Sequence, residues 1–192
     1  MKTLILNKKN GFTLIELLVV ISIIGILSAV VYASFGDARK IARDNIRKSD
    51  LKALQLALEL YKAQNGRYPE ACRGANKWSG NVNGSYKCTS TSSGSGNQYI
   101  KGLVPDFIAV LPVDPLASSY NNSSNVGYLY LTDRYGTAYK LLANNSVEKK
   151  FIGSYDDEFA RCPVIHDNNC PSSISDPIKK TYAVYSAGAA NW

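Results

Sequence analysis

Glu16 is the only charged side chain between Phe12 and Phe35, a run of 24 otherwise mostly apolar residues. A helix of about 20 apolar residues can cross a bilayer. A carboxylate at the centre of such a helix costs about 2.5–3.5 kcal/mol on insertion scales, and less near its end. A chain cut between Gly11 and Phe12 would carry a free α-amine on Phe12, one helical turn from Glu16. In a packed array the amine of one subunit could then neutralise the carboxylate of the next. The competing reading is a plain membrane anchor whose Glu16 reaches back to the headgroup layer. The other reactive groups are four cysteines, Cys72, Cys88, Cys162 and Cys170, and one histidine, His166. Three disulfide pairings are open to four cysteines. The local one, Cys72 with Cys88 and Cys162 with Cys170, is preferred because each pair brackets a short loop containing Gly, Ser, Asn or Pro. Disulfides need an oxidising compartment, so this pairing places the chain after Phe35 outside the cytoplasm. Cys162, His166 and Cys170 supply only three metal ligands and no CxxC pair, so no metal is assigned to them.

The elements that position these groups follow from periodicity. Beyond Phe35, Ile41, Ile46, Leu51, Leu54, Leu58 and Tyr61 recur mostly at steps of three and four, which predicts an amphipathic helix. Arg43, Arg47, Lys48, Lys52 and Glu59 fall largely on other faces and are read as solvated. Asn65-Gly66, followed by Pro69, is a helix stop. If continuous from Phe12, this helix is about 80 Å long. Residues 73–98 are rich in Gly, Ser, Asn and Thr, and are read as an exposed loop tied at Cys72 and Cys88. Tyr99 to Leu111 reads as a short helix or turn before Pro112 and Pro115. Residues 127–132 and 137–142 flank Asp133-Arg134-Tyr135-Gly136 as a hairpin. Tyr182 to Tyr185 is a third strand, and Val147 to Tyr155 offers a fourth. The expected fold is α+β, with the long helix packed on a small antiparallel sheet.

The stretch Lys8-Lys9-Asn10-Gly11-Phe12-Thr13-Leu14-Ile15-Glu16-Leu17-Leu18-Val19-Val20-Ile21 resembles the leader and helix start of type IV pilins and type II secretion pseudopilins. Tyr68-Pro69 after the helix and Pro112-Val113-Asp114-Pro115 before the sheet are similar to the major-pseudopilin pattern. The resemblance is specific over about the first 35 residues and runs on by pattern for the next 30. It implies that a membrane-embedded prepilin peptidase cuts after Gly11 and methylates the Phe12 amine. It also implies that Glu16 guides docking into a helical filament. The implied partners are the peptidase, other copies and other pilins, the membrane, and the assembly platform of the inner membrane. One family feature is missing: many of these helices carry a proline about two-thirds along the apolar run, where this chain has Val30-Val31-Tyr32-Ala33-Ser34.

On this reading residues 1–11 are the leader, 12–35 the membrane and filament-core helix, 36–65 the amphipathic helix, and 66–192 the head. The chain starts single-pass in the inner membrane, with its head outside the cytoplasm, and ends in an extracellular or periplasmic filament. The formal charge is +7, from 22 basic and 15 acidic residues. Without Lys2, Lys8 and Lys9 it is 19 against 15, or +4, an ordinary value that does not ask for nucleic acid. No nucleophile elbow, P-loop or dinucleotide fingerprint occurs, so no catalytic residue is assigned and no cofactor is required. Asp156-Asp157-Glu158 with Asp114 or Asp167 admits a calcium site, which needs six to eight oxygen ligands, but no ligand pattern is recognisable and a solvated turn is preferred. The expected function is a structural subunit of a type IV pilus or type II secretion pseudopilus. The alternative is a minor pilin that binds DNA or a surface through Lys140, Lys149, Lys150, Lys179 and Lys180. The sequence does not separate pilus from pseudopilus.

Overall fold

A computed structural model describes residues 12–88, 98–121, 124–148, 158–161, 180–190 and 192. The side chains of Val30, Ala33 and Ser34 also lie outside the described set. The chain divides after Arg39 into two compact units, 1–39 and 40–192.

In the first unit the described chain is helical from Leu14 onward. The described apolar side chains along it are exposed, from Leu14 at 81% to Phe35 at 56%. Among the described residues no helix is long and apolar enough to cross a membrane. Val30, Ala33 and Ser34, whose side chains are not described, interrupt the predicted span at 12–35.

The second unit is α+β. Helix α1, Leu14–Asn65, contributes its residues from Lys40 on. It ends where the sequence predicts. Gly66 takes the left-handed conformation at φ 75°, and its N–H donates to the Lys62 carbonyl at 2.8 Å, a glycine helix stop. Four antiparallel strands follow in the order β1-β2-β3-β4: β1 Ser79–Gly80, β2 Gly127–Thr132, β3 Tyr139–Asn144 and β4 Tyr182–Tyr185. The β2–β3 register pairs Tyr130 with Leu141 and Leu129 with Leu142. Alternation along the strands therefore sends Tyr128, Tyr130, Tyr139, Leu141, Ala143, Tyr182 and Val184 to one face. That face packs on Leu51, Leu54, Ala57 and Leu58 of α1, with Tyr99, Ile100 and Leu103 closing the core.

The hairpin is found with a longer connection than predicted: β3 begins at Tyr139, because Asp133 holds the turn. Its Oδ1 accepts the N–H groups of Thr137 and Ala138, and its Oδ2 accepts the Thr137 hydroxyl. Tyr182–Tyr185 is a strand, as predicted. Val147 and Glu148 are not in a strand, and the rest of that segment lies outside the described residues. The region read as an exposed loop at 73–98 contributes β1 instead. Ser79, Gly80, Val82 and Cys88 are all buried. A side chain at Gly80 would collide with the Tyr128 carbonyl and the Leu129 side chain, so only glycine lets this edge approach β2. Residues 99–111 form turns rather than a helix, with Tyr99, Ile100 and Leu103 buried.

Candidate functional site

The chemistry singled out in the sequence gathers at the start of α1. Thr13 precedes the helix and Glu16 lies in its first turn. Glu16 Oε2 accepts the Thr13 backbone N–H at 2.8 Å and the Thr13 hydroxyl at 2.7 Å. The Glu16 N–H points back to Thr13 Oγ1 at 3.3 Å. This reciprocal arrangement is a capping box, which satisfies N–H groups that the first helical turn leaves unpaired. Its signal, Thr-x-x-Glu before an apolar run, stands in the sequence but is masked there by the conspicuous charge. The negative end also complements the helix dipole. Among the described residues Glu16 Oε1 has no partner, so one oxygen of the carboxylate remains to accept from another group. Phe12 beside it is 90% exposed. Gly11 lies outside the described residues.

The predicted disulfide is present between Cys72 and Cys88, with Cα atoms 6.0 Å apart and a sequence separation of 16. It ties β1 to the chain just after α1. Cys162 and Cys170, with His166, lie outside the described residues. No group of three or more His, Cys, Asp or Glu side chains that could hold a metal occurs among the described residues.

The second unit holds a charged site that the sequence reading assigns to a solvated face. Arg47 is fully buried. Its Nε and Nη2 donate to the two oxygens of Asp114 at 2.8 and 3.1 Å, a paired fork. Its Nη1 donates to Asp44 at 2.8 Å and Glu148 at 3.0 Å. Arg43 makes a second fork onto Glu148. Burial disfavours the charged guanidinium of Arg47, but the hydrogen bonds and charge of Asp114 outweigh this and hold it above its ordinary value. The Arg43 hydrogen bond is the largest influence lowering the Glu148 carboxyl. Asp114 also accepts the Leu116 N–H and the Tyr120 hydroxyl. It is thus committed to the protein interior and is not free for the calcium site that Asp156-Asp157-Glu158 would share with it. Glu158 pairs with Lys52 at 2.6 Å. Nearby, Asp50 accepts the Tyr128 hydroxyl at 2.6 Å.

Of the lysines offered for DNA, Lys140 is fully buried and donates to the backbone oxygens of Ala190 and Trp192, each at 2.8 Å. Lys180 is half-buried, and Lys149, Lys150 and Lys179 lie outside the described residues.

Comparison with known proteins agrees with the helix start. Residues 6–32 match the prokaryotic N-terminal methylation motif. No solved structure matches the chain. The type II secretion system core protein G of Pseudomonas aeruginosa is 32% identical over 115 residues, which covers 59% of this chain and 72% of that protein. The protein of the same name from Klebsiella pneumoniae is 33% identical over 116 residues, 60% of this chain and 74% of its own length. That of Vibrio cholerae is 30% identical over 115 residues, covering 60% and 70%. With this likeness sustained far beyond the methylation motif and across most of each relative, the chain belongs to the family of type II secretion system core protein G.

Proposed function

We propose that the chain is a structural subunit of a type II secretion pseudopilus, made as a membrane-held precursor and assembled through the first part of α1. It works by packing, not by catalysis. Prepilin peptidase cuts after Gly11 and methylates the new Phe12 amine. Glu16 then pairs with the amine of a neighbouring copy, using the oxygen that the capping box leaves over. The exposed side chains from Leu14 to Phe35 exchange lipid for other helices, and the heads form the outer wall of a periplasmic filament built with other pseudopilins on the inner-membrane platform. The observation that carries this reading is the row of exposed apolar side chains on α1, interrupted by one half-satisfied carboxylate. The Cys72–Cys88 disulfide supports a head outside the cytoplasm. The names of the relatives favour a pseudopilus over a pilus, and the buried Lys140 weakens a DNA-binding minor pilin.

Two experiments test it. Intact mass and N-terminal sequencing, after expression with an active peptidase, should give a mature chain beginning at methylated Phe12; a chain still starting at Met1 removes the processing scheme. Glu16→Ala and Glu16→Gln should then be compared for filament yield. Glutamine retains the capping box but cannot form a charge pair. Both variants should be processed and should fail to assemble. Wild-type yield from Glu16→Gln would mean that the residue acts only as a helix cap.

A further inference from the structure

The sheet face turned away from α1 carries its own small apolar cluster, Val82, Leu129, Leu142 and Ala183, with Trp78, Tyr86 and Tyr185 packed against it. A concavity of about 280 Å³ opens there. Buried Leu129 and Leu142 and the half-buried rings of Trp78 and Tyr86 line it, with the side chains of Asn125, Asn144 and Arg161. No acidic side chain is among these lining residues. The carboxamides are held in place: Asn125 accepts the Tyr86 N–H at 3.0 Å, and Asn144 donates to the Asn125 carbonyl at 2.6 Å. The Asn144 side-chain oxygen has no partner among the described residues. Arg161 is half-buried and, among the described residues, makes no hydrogen bond or ion pair. A partly desolvated guanidinium with no counter-charge among the described residues favours an anion. Buried Lys140 lies beyond, its Nζ 5.1 Å from the centre of the Tyr185 ring; burial first, and then the charge of Arg161, push its ammonium down to about 7, so Arg161 is the cation of this face at neutral pH and above.

We propose that this concavity binds an acidic sugar ring, with Trp78 and Tyr86 against its C–H face, the Asn144 oxygen accepting from a hydroxyl, and Arg161 holding the carboxylate. Each part of the lining answers one part of that ligand. Aromatic faces suit a ring with one apolar side and a polar edge. A guanidinium suits a carboxylate through two parallel hydrogen bonds. A free phosphate or acetate would use Arg161 and leave the rings and the leucine floor idle. The volume, just below the roughly 300–1,000 Å³ range of ligand pockets, suits one ring rather than a long chain.

The test uses the full mature chain in a detergent without a sugar headgroup. The chain has two tryptophans, Trp78 and Trp192. Lys140 donates to the backbone oxygen of Trp192, so Trp192→Phe leaves Trp78 as the sole tryptophan reporter and keeps the acceptor of that bond. Methyl glucuronide should change its fluorescence saturably. Methyl glucoside should bind about tenfold more weakly, and acetate should leave the signal unchanged. Arg161→Gln should raise the dissociation constant for the glucuronide about tenfold with circular dichroism unchanged, and Arg161→Lys should fall between. If Arg161→Gln does not fold, Arg161→Lys alone carries the comparison. An equal response to acetate would reduce the site to a general anion contact and overturn the proposal. So would no response to the glucuronide, or one that neither Arg161 variant alters.

Discussion

Arg47 shows how much a single residue can be misjudged by type alone. Arginine is mostly exposed in folded proteins, and a helix rich in basic residues invites a solvated reading. Yet Arg47 keeps step with Leu51, Leu54 and Leu58, at intervals of four, three and four. That rhythm places it on the core face. Ile41 and Ile46, read as core positions, are each 47% exposed. What the sequence could not show was its counter-charge, since Asp114 and Glu148 lie 67 and 101 residues away. Removing one partner of a buried ion pair is far more damaging than the pair itself is stabilising. Arg47→Ala leaves Asp114 and Asp44 buried without their cation. It should cost about 3–5 kcal/mol, read as a lowered urea midpoint of the second unit's unfolding in the detergent-held full chain. Arg43→Ala, at a partly exposed pair, should cost under about 1 kcal/mol.

Among the elements, those with strong internal rhythm were legible. The helix has its stop at Asn65-Gly66, β2 and β3 alternate around a turn with Asp and Gly, and the tyrosines of β2, β3 and β4 are sheet residues, as their β preference suggests. The two-residue strand β1 was not legible, because its existence depends on the absence of a side chain at Gly80 and on a partner 49 residues away at Leu129. Glycine-rich composition reads as loop; here it also permits contact. Gly80→Ala should therefore destabilise the chain by about 1–3 kcal/mol. Hydrogen exchange should localise the damage: the Gly80 N–H, bonded to the Tyr86 carbonyl at 2.9 Å, should lose protection before the amides of β3 do. The helix start was legible as a charge but not as a cap, although both depend on the same Glu16.

For the whole molecule, the core encloses several phenol hydroxyls. Tyr99, Tyr128, Tyr130 and Tyr139 are all fully buried, and burial raises each phenol above its ordinary value. Their hydroxyls are nonetheless used: Tyr128 donates to Asp50, Tyr130 to the Pro69 carbonyl at 2.7 Å, and Tyr99 to that of Pro112 at 3.2 Å. In the unfolded chain these phenols ionise near pH 10. The folded state keeps its protons longer, so above that pH the unfolded state binds fewer protons and stability must fall. Below about pH 10 the tyrosines contribute no slope. Urea midpoints measured from pH 8 to 11 should decline steeply only in the upper part of that range. Tyr130→Phe should make the decline shallower.

The enclosed arginine also has a consequence outside the core. Successive residues of a helix are turned by about 100°, so a slip of α1 by one residue in the second unit would swing Arg47 out of reach of Asp114. Three carboxylates closing on one guanidinium act as a key in a keyway, fixing the clocking of the helix against the sheet. Whichever side chains then stand on its outer surface, Ile46, Leu56 and Leu60 among them, point in one defined direction in every copy. An interior ion cluster thereby decides which helical edge each subunit offers to its surroundings, and identical copies can be stacked without sorting.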